Sequence, residues 1–332
     1  MDIYIKSFNR AYYLDRCLYS IKTYVSGDYN VYVLDDGTPQ QYLKIIQEKY
    51  PEIVILKSGD YNLKSDLINK ESYDKLPSRV PSSFWYKSVV KASDYIMVLE
   101  DDIWFTQAFD IKTIVKECKE ANVAMLKMSW LGNEKLIACR KQLLQKNSIV
   151  YTPKLKFSNP ILYNWIYCKY NRLWRVTLKF LGLYAEDSEL NYYSIYSVAG
   201  AVFKKDYYLS VWKDAYYQVD EKQQILKALQ FYHKNKVAYG RTVTEVLKTG
   251  FISSAFNKGA DNNFSIHDFN TVLNNHWVCN DVLYLKNLNR DISMDLVKGV
   301  LKQSKKSNAY IHQWENWVSS FEQSFRAIGC KM

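Results

Sequence analysis

The chain opens on alternation. In Met1 to Ser7, Ile3 and Ile5 are spaced by two among Asp2, Tyr4 and Lys6, which predicts a strand. The period then changes: Leu14, Leu18, Ile21 and Val25 recur at spacings of four, three and four across 9–25, the stripe of an amphipathic helix. A β-rich run at 30–34 follows and ends in Asp35-Asp36-Gly37-Thr38-Pro39, a turn signal. Residues 42–50 fit a helix, and the short apolar run 53–56 fits a fully buried strand. The polar segment 58–82, with Pro77 and Pro81, reads as a long loop. A helix over 83–92 leads to a strand over 94–99, which ends in Glu100-Asp101-Asp102. From about residue 260 the pattern is predominantly helical and finishes in the aromatic segment 310–325.

Strands alternating with helices in this way build an α/β fold around a mostly parallel sheet, because each crossover between parallel strands needs a helix. Such sheets bind ligands beyond the carboxyl ends of their strands. Both acidic clusters close predicted strands, so Asp35-Asp36 and Glu100-Asp101-Asp102 are expected to face one crevice. No repeat or linker divides the chain, and a soft boundary falls near residue 100.

Composition narrows the class. The 332 residues are 48% hydrophobic and 24% charged, which is globular composition. The mean hydropathy is −0.32 and no run of about eighteen apolar residues occurs, so no membrane-spanning helix is expected. The opening residues lack the basic region and apolar core of a signal peptide, and a cytoplasmic location is expected. Six cysteines without a C-x-x-C pair read as reduced thiols. The net charge of +11 calls for an anionic partner, and its distribution is uneven: 135–185 holds ten Lys and Arg and no Asp or Glu. Within it, 162–184 interleaves Tyr163, Trp165, Tyr167, Tyr170, Trp174 and Phe180 with Lys169, Arg172, Arg175 and Lys179. That segment fits either an anionic membrane surface, which would place the protein peripherally at the inner face of the membrane, or a partly buried helix with a basic solvent face. No nucleic-acid motif accompanies it, and nucleic acid is not expected as a partner.

The candidate chemistry starts from Glu100-Asp101-Asp102. On an extended chain, carboxylates two residues apart project the same way, and Mg²⁺ or Mn²⁺ is commonly held by one or two carboxylates with phosphate and water. The same acids could equally be solvated turn residues. They do not stand alone. Ser7-Phe8-Asn9-Arg10 with Leu14, Leu18 and Ser20, then Val33-Leu34-Asp35-Asp36-Gly37-Thr38, then Val98-Leu99-Glu100-Asp101-Asp102, then Ser197-Val198-Ala199-Gly200-Ala201-Val202-Phe203 follow in order over 1–250. Together they resemble glycosyltransferase family 2 and its GT-A relatives, with the D-x-D motif in a Glu-Asp-Asp form.

The resemblance implies a Rossmann-like GT-A fold with a helical C-terminal extension: a nucleotide-sugar-binding half at 1–102, an acceptor half at 103–258 and the extension at 259–332. It implies transfer of a sugar from a nucleotide-diphosphate donor to a hydroxyl of a glycan or lipid-linked acceptor, with inversion in the family's manner and Mn²⁺ or Mg²⁺ as cofactor. By the same resemblance, Asp35 and Asp36 receive base and ribose, Asp102 is the direct metal ligand, and Glu100 and Asp101 contact ribose or metal-bound water. Ser7, Asn9, Arg10 and Lys87 belong to the donor side, the last two as diphosphate candidates; Gly200 and Ala201 line the acceptor side. The general base is expected at Asp220 or Glu221, in reverse of the family's usual order, with Glu186-Asp187 in reserve. Asp220 also reads as a helix cap with Gln223. His267 or His276 could add a late metal ligand. Two rivals remain: a nucleotidyltransferase, which would need a Gly-rich loop that Ser7-Phe8-Asn9-Arg10 lacks, and a non-catalytic sugar- or lipid-binding scaffold.

Overall fold

A computed structural model describes residues 1–169, 172–182, 186–255 and 264–331, with the backbone alone described at 172–175 and 186–188. Nine strands form one sheet in the order Val54–Lys57, Asn30–Asp35, Asp2–Ser7, Tyr95–Glu100, Ala201–Lys204, Val123–Lys127, Ala238–Thr242, Ser148–Pro153 and Cys139–Leu144. The first four are parallel, as the alternation with helices predicts. Ala201–Lys204 then runs antiparallel to both neighbours, and beyond it only Val123–Lys127 and Ala238–Thr242 pair in parallel. The expected parallel pairing therefore covers the first half of the sheet, and the second half is mixed.

Alternation along the strands gives the sheet two apolar faces. Ile3, Ile5, Val33 and Leu99 pack with Leu14, Leu18 and Ile21 of the helix Ala11–Tyr24. Tyr4, Leu34, Ile96 and Val98 join a second core with Trp85, Tyr207 and Trp212. Register places Ser7 opposite Asp35 and Lys6 opposite Glu100. The two acidic clusters therefore leave the sheet at the same edge, as the topology required.

Two expectations are corrected. Val54–Lys57 is not fully buried: it is the edge strand, and Val54 is 46% exposed. The polar segment 58–82 is not one long loop, because Tyr61–Asn69 is a helix. Its inward face is Tyr61, Lys64, Ser65 and Ile68, half of it polar, which erased the apolar period that would have announced it.

The C-terminal helices Ile266–Leu285, Met294–Gln303 and Asn308–Ala327 share the core of the first helix, through Trp277 and Trp314. Buried Arg16 donates to the carbonyl of Tyr284 (2.6 Å), an acceptor that the end of the helix Ile266–Leu285 leaves unpaired, and to that of Asn287 (3.0 Å) in the turn beyond it. Buried Asp15 accepts from Lys49 Nζ (2.6 Å), Tyr50 Oη (2.7 Å) and Trp277 Nε1 (2.8 Å). These bonds fix the C-terminal helices against the edge where the acids emerge. The boundary expected at 258/259 lies outside the described residues.

Candidate active site

The site begins with two turns. After the strand Asn30–Asp35, Asp35 Oδ1 accepts from the N–H groups of Gly37 (3.0 Å) and Thr38 (2.8 Å), and Oδ2 accepts from Thr38 Oγ1 (2.6 Å). An aspartate bonded to its own downstream backbone fixes a turn. Gly37 is required there: its φ is +137°, and a Cβ would stand 2.5 Å from Lys64 Cβ. Asp36 accepts from Ser58 Oγ (2.6 Å) and Lys64 Nζ (2.5 Å). Burial raises the pKa of both carboxyls, that of Asp35 to about 6. Asp35 thus shapes the loop while Asp36 sits on an ion pair.

The second turn, Ser7-Phe8-Asn9-Arg10, is tied to the first by Asn9 N–H donating to Thr38 Oγ1 (2.8 Å). Asn274 on the helix Ile266–Leu285 donates to Asn9 O (3.1 Å) and Asn9 Oδ1 (3.0 Å). Arg10 is buried and divides its guanidinium between the acids: Nη1 donates to Asp102 Oδ2 (2.6 Å) and Nη2 to Asp101 Oδ1. Asp101 Oδ2 accepts from Phe8 N–H (3.2 Å). Burial pushes the Asp101 carboxyl up to about 7 against the pull of that guanidinium. Asp102 Oδ1, Arg10 Nε and Ser7 Oγ are buried without a hydrogen-bond partner.

A cleft of about 570 Å³ opens beside these acids. Glu100 and Asp102 line one side. Glu100 is raised by burial and held the other way by Lys6, whose ammonium donates to Val198 O (2.9 Å) and lies over the rings of Trp85 and Trp212. Gly200, at φ +69°, turns the chain into Ala201, which sits in register with Val98 and Lys127. Lys127, the last residue of its strand, faces the same cleft. Glu221, at the start of the helix Glu221–Asn235, enters it too and accepts from Tyr193 Oη. Asp220 is exposed and caps that helix by accepting from Gln223 N–H (3.1 Å). Phe251, Phe321, Phe325 and Ile328 form an apolar wall.

Other sequence candidates stand apart. Lys87 is exposed on the helix Ser82–Val89 and does not line the cleft. His267 packs against Phe8, and burial lowers its pKa to about 4; His276 bonds Tyr284 Oη through Nδ1 (3.0 Å). Neither lines the cleft. The side chains of Glu186 and Asp187 lie outside the described residues. Lys127, Tyr193 and the Phe321/Phe325 wall were not singled out from sequence. Lys127 carries a usable signal, a lysine ending the apolar strand Val-Ala-Met-Leu-Lys at the ligand-binding edge.

Among the described residues no three His, Cys, Asp or Glu side chains gather for a metal ion. An all-protein cage is therefore not offered. The partnerless Asp102 Oδ1 nonetheless suits Mg²⁺ or Mn²⁺, which take as little as one carboxylate when phosphate and water complete the shell.

No protein-family profile and no curated protein sequence matches the chain. Among solved structures, S. aureus TarS 1–349 in complex with UDP-GlcNAc is similar over 97% of this chain and 80% of that one, at 11% identity and a TM-score of 0.41. The galactosyltransferase LgtC with donor and acceptor sugar analogs is similar over 69% and 70%, at 12% identity and a TM-score of 0.35. Glucosyl-3-phosphoglycerate synthase from Mycobacterium tuberculosis, with Mn²⁺, UDP and phosphoglyceric acid, is similar over 70% and 64%, at 10% identity and a TM-score of 0.34. Likeness at this level carries nothing about the chemistry of the present chain, which rests on its own residues.

Proposed function

We propose that the protein is a glycosyltransferase that moves a sugar from a nucleotide-diphosphate donor to a hydroxyl of a glycan or lipid-linked acceptor. One observation carries this reading: a single cleft at the carboxyl edge of the sheet holds a partnerless carboxylate oxygen on Asp102 and, on another element, the carboxylate of Glu221. Departure of a nucleoside diphosphate needs positive charge beside the leaving group, and attack by a hydroxyl needs a base within hydrogen-bond reach. The two halves of the cleft supply these separately.

In this reading Asp102 is the protein ligand of Mn²⁺ or Mg²⁺, and the cation, when bound, supplies the charge that accepts the leaving diphosphate. Arg10 adds a guanidinium to the same side. Asp36 meets the nucleoside by exchanging Lys64 for it, and Asp35 holds the turn that presents Asp36. Glu100 orders water or ribose above the strand end. Glu221 takes the acceptor proton, with its carboxylate oriented by Tyr193. With Glu221 acting as base and not as nucleophile, the transfer inverts the donor's anomeric configuration, as the resemblance to glycosyltransferase family 2 implies. Purified protein with Mn²⁺ and a panel of NDP-sugars tests the reading: donor-dependent release of nucleoside diphosphate is expected, and its absence with every donor would refute it.

The acid-free segment suggests where the acceptor resides. Tyr163 and Tyr167 are core residues packed on Tyr192, so these two of the six aromatics are structural. Other apolar side chains of the region face outward: Ile161 is 78% exposed, Val176 63% and Phe180 91%. Tyr170, Tyr184 and the side chains of Arg172, Trp174 and Arg175 lie outside the described residues. Among the described residues no helix is long and apolar enough to cross a membrane. Exposed apolar side chains beside a run of cations favour an anionic bilayer surface, where each Lys or Arg contributes about 1 kcal/mol. Replacing Lys169, Arg172, Arg175 and Lys179 with Gln is expected to abolish low-salt co-sedimentation with anionic liposomes and to leave turnover on a soluble acceptor unchanged. Wild-type protein that fails to sediment with such liposomes removes the membrane from the proposal.

A further inference from the structure

Lys127 is an anomaly in the cleft. Its side chain carries three N–H donors, is only 4% exposed and makes no hydrogen bond or ion pair among the described residues. Burial lowers its pKa to about 8, with Glu221 opposing the shift, so it stays charged at neutral pH. The ammonium opens to the cleft, and Glu221 favours its charge without bonding to it. Glu100 already faces Lys6, Asp102 is bonded to Arg10 and Glu221 accepts from Tyr193. The cleft thus keeps a cation in reserve.

Position says which ligand would use it. Arg10 and Asp102 stand at the ends of the parallel strands, on the side given above to the diphosphate. Lys127 comes from the antiparallel half, beside Ala201 and toward Glu221. Resting on the transferase reading, we propose that Lys127 binds an acidic group, a carboxylate or a phosphate ester, on the acceptor sugar whose hydroxyl Glu221 deprotonates. The carboxylates of Glu100 and Glu221 would otherwise repel such an acceptor, and a charge-assisted bond is roughly twice as strong as a neutral one. Phe321 and Phe325 offer the opposite, apolar face of the cleft to the C–H face of a sugar ring.

The test compares three ligands on one ring: glucose, glucuronate and glucose 6-phosphate. Each is titrated by calorimetry into the full chain with Mg²⁺, once with a saturating nucleoside diphosphate and once without. Wild type is expected to bind one of the acids about 10- to 100-fold more tightly than glucose. Lys127→Met should erase that preference and leave glucose unchanged, while Lys127→Arg retains part of it. Because Met keeps the buried methylene stem and removes an ammonium that bonds to no protein group, the variant should melt no lower than wild type. Equal affinity of wild type for all three ligands overturns the inference. So does an equal loss for glucose and the acids in Lys127→Met, which would mean that the lysine only shapes the pocket, and so does a lower melting temperature, which would give the ammonium a structural partner. Failure of any nucleoside diphosphate to bind counts against the transferase reading instead, and the titrations without nucleotide still read Lys127.

Discussion

Asp102→Asn is expected to make nucleoside-diphosphate binding indifferent to Mn²⁺. In the wild type, Oδ2 of Asp102 is held by Arg10 at 2.6 Å and Oδ1 is buried with no partner. The Arg10 bond fixes the rotamer, so Oδ1 is directed without needing to reorganise when a cation arrives. Asn keeps the shape but removes the charge, and it offers Arg10 a neutral oxygen or the cation a neutral one. A cation that bridges protein and diphosphate couples their binding, and couplings of this kind run to about 1–3 kcal/mol, or 5- to 150-fold in affinity. Calorimetric titration of nucleoside diphosphate with and without Mn²⁺ reads that ratio directly. It should fall to near one in Asp102→Asn. A ratio unchanged from wild type would take Asp102 out of the metal site. Asp101→Asn is the contrast: its carboxylate serves Phe8 N–H and Arg10, so the expected damage is to stability and not to the Mn²⁺ ratio.

What the sequence revealed of this arrangement depended on how local the physics was. The opening strand and helix, and the convergence of two acidic clusters on one edge, follow from period-two and period-3.6 patterns and from the geometry of parallel sheets. The helix Tyr61–Asn69 did not announce itself, because it buries Lys64 against Asp36 in place of an apolar stripe. The edge position of Val54–Lys57 is a property of strand order, which no short run encodes. Nor could spacing show that Arg10 would reach across 91 residues to Asp101, or that Phe321 and Phe325 would return from the last helix to wall the cleft. Asp220 and Glu221 were inseparable as neighbours in sequence. Helix geometry parts them, because a cap residue must turn its side chain back to the helix's own N–H groups.

That separation yields the second large effect. Glu221→Gln is expected to lower turnover by about 10²- to 10⁴-fold, the range that a positioned general base contributes. Gln preserves volume and can still accept from Tyr193, so the cleft should keep its form, and donor affinity measured by calorimetry should stay near that of wild type. Asp220→Ala supplies the control from the adjacent position. Its carboxylate accepts from Gln223 N–H and faces solvent, so its loss should cost about 1 kcal/mol of stability and leave turnover intact once the protein is folded. Tyr193→Phe should fall between them: Glu221 keeps its charge but loses the hydroxyl that orients it, so kcat drops less than in Glu221→Gln while donor binding is untouched. Full kcat in Glu221→Gln would remove this residue as the base and pass the assignment to Glu186 and Asp187. A large loss in Asp220→Ala at unchanged stability would invert the pair, since a cap alone has no route to the transition state.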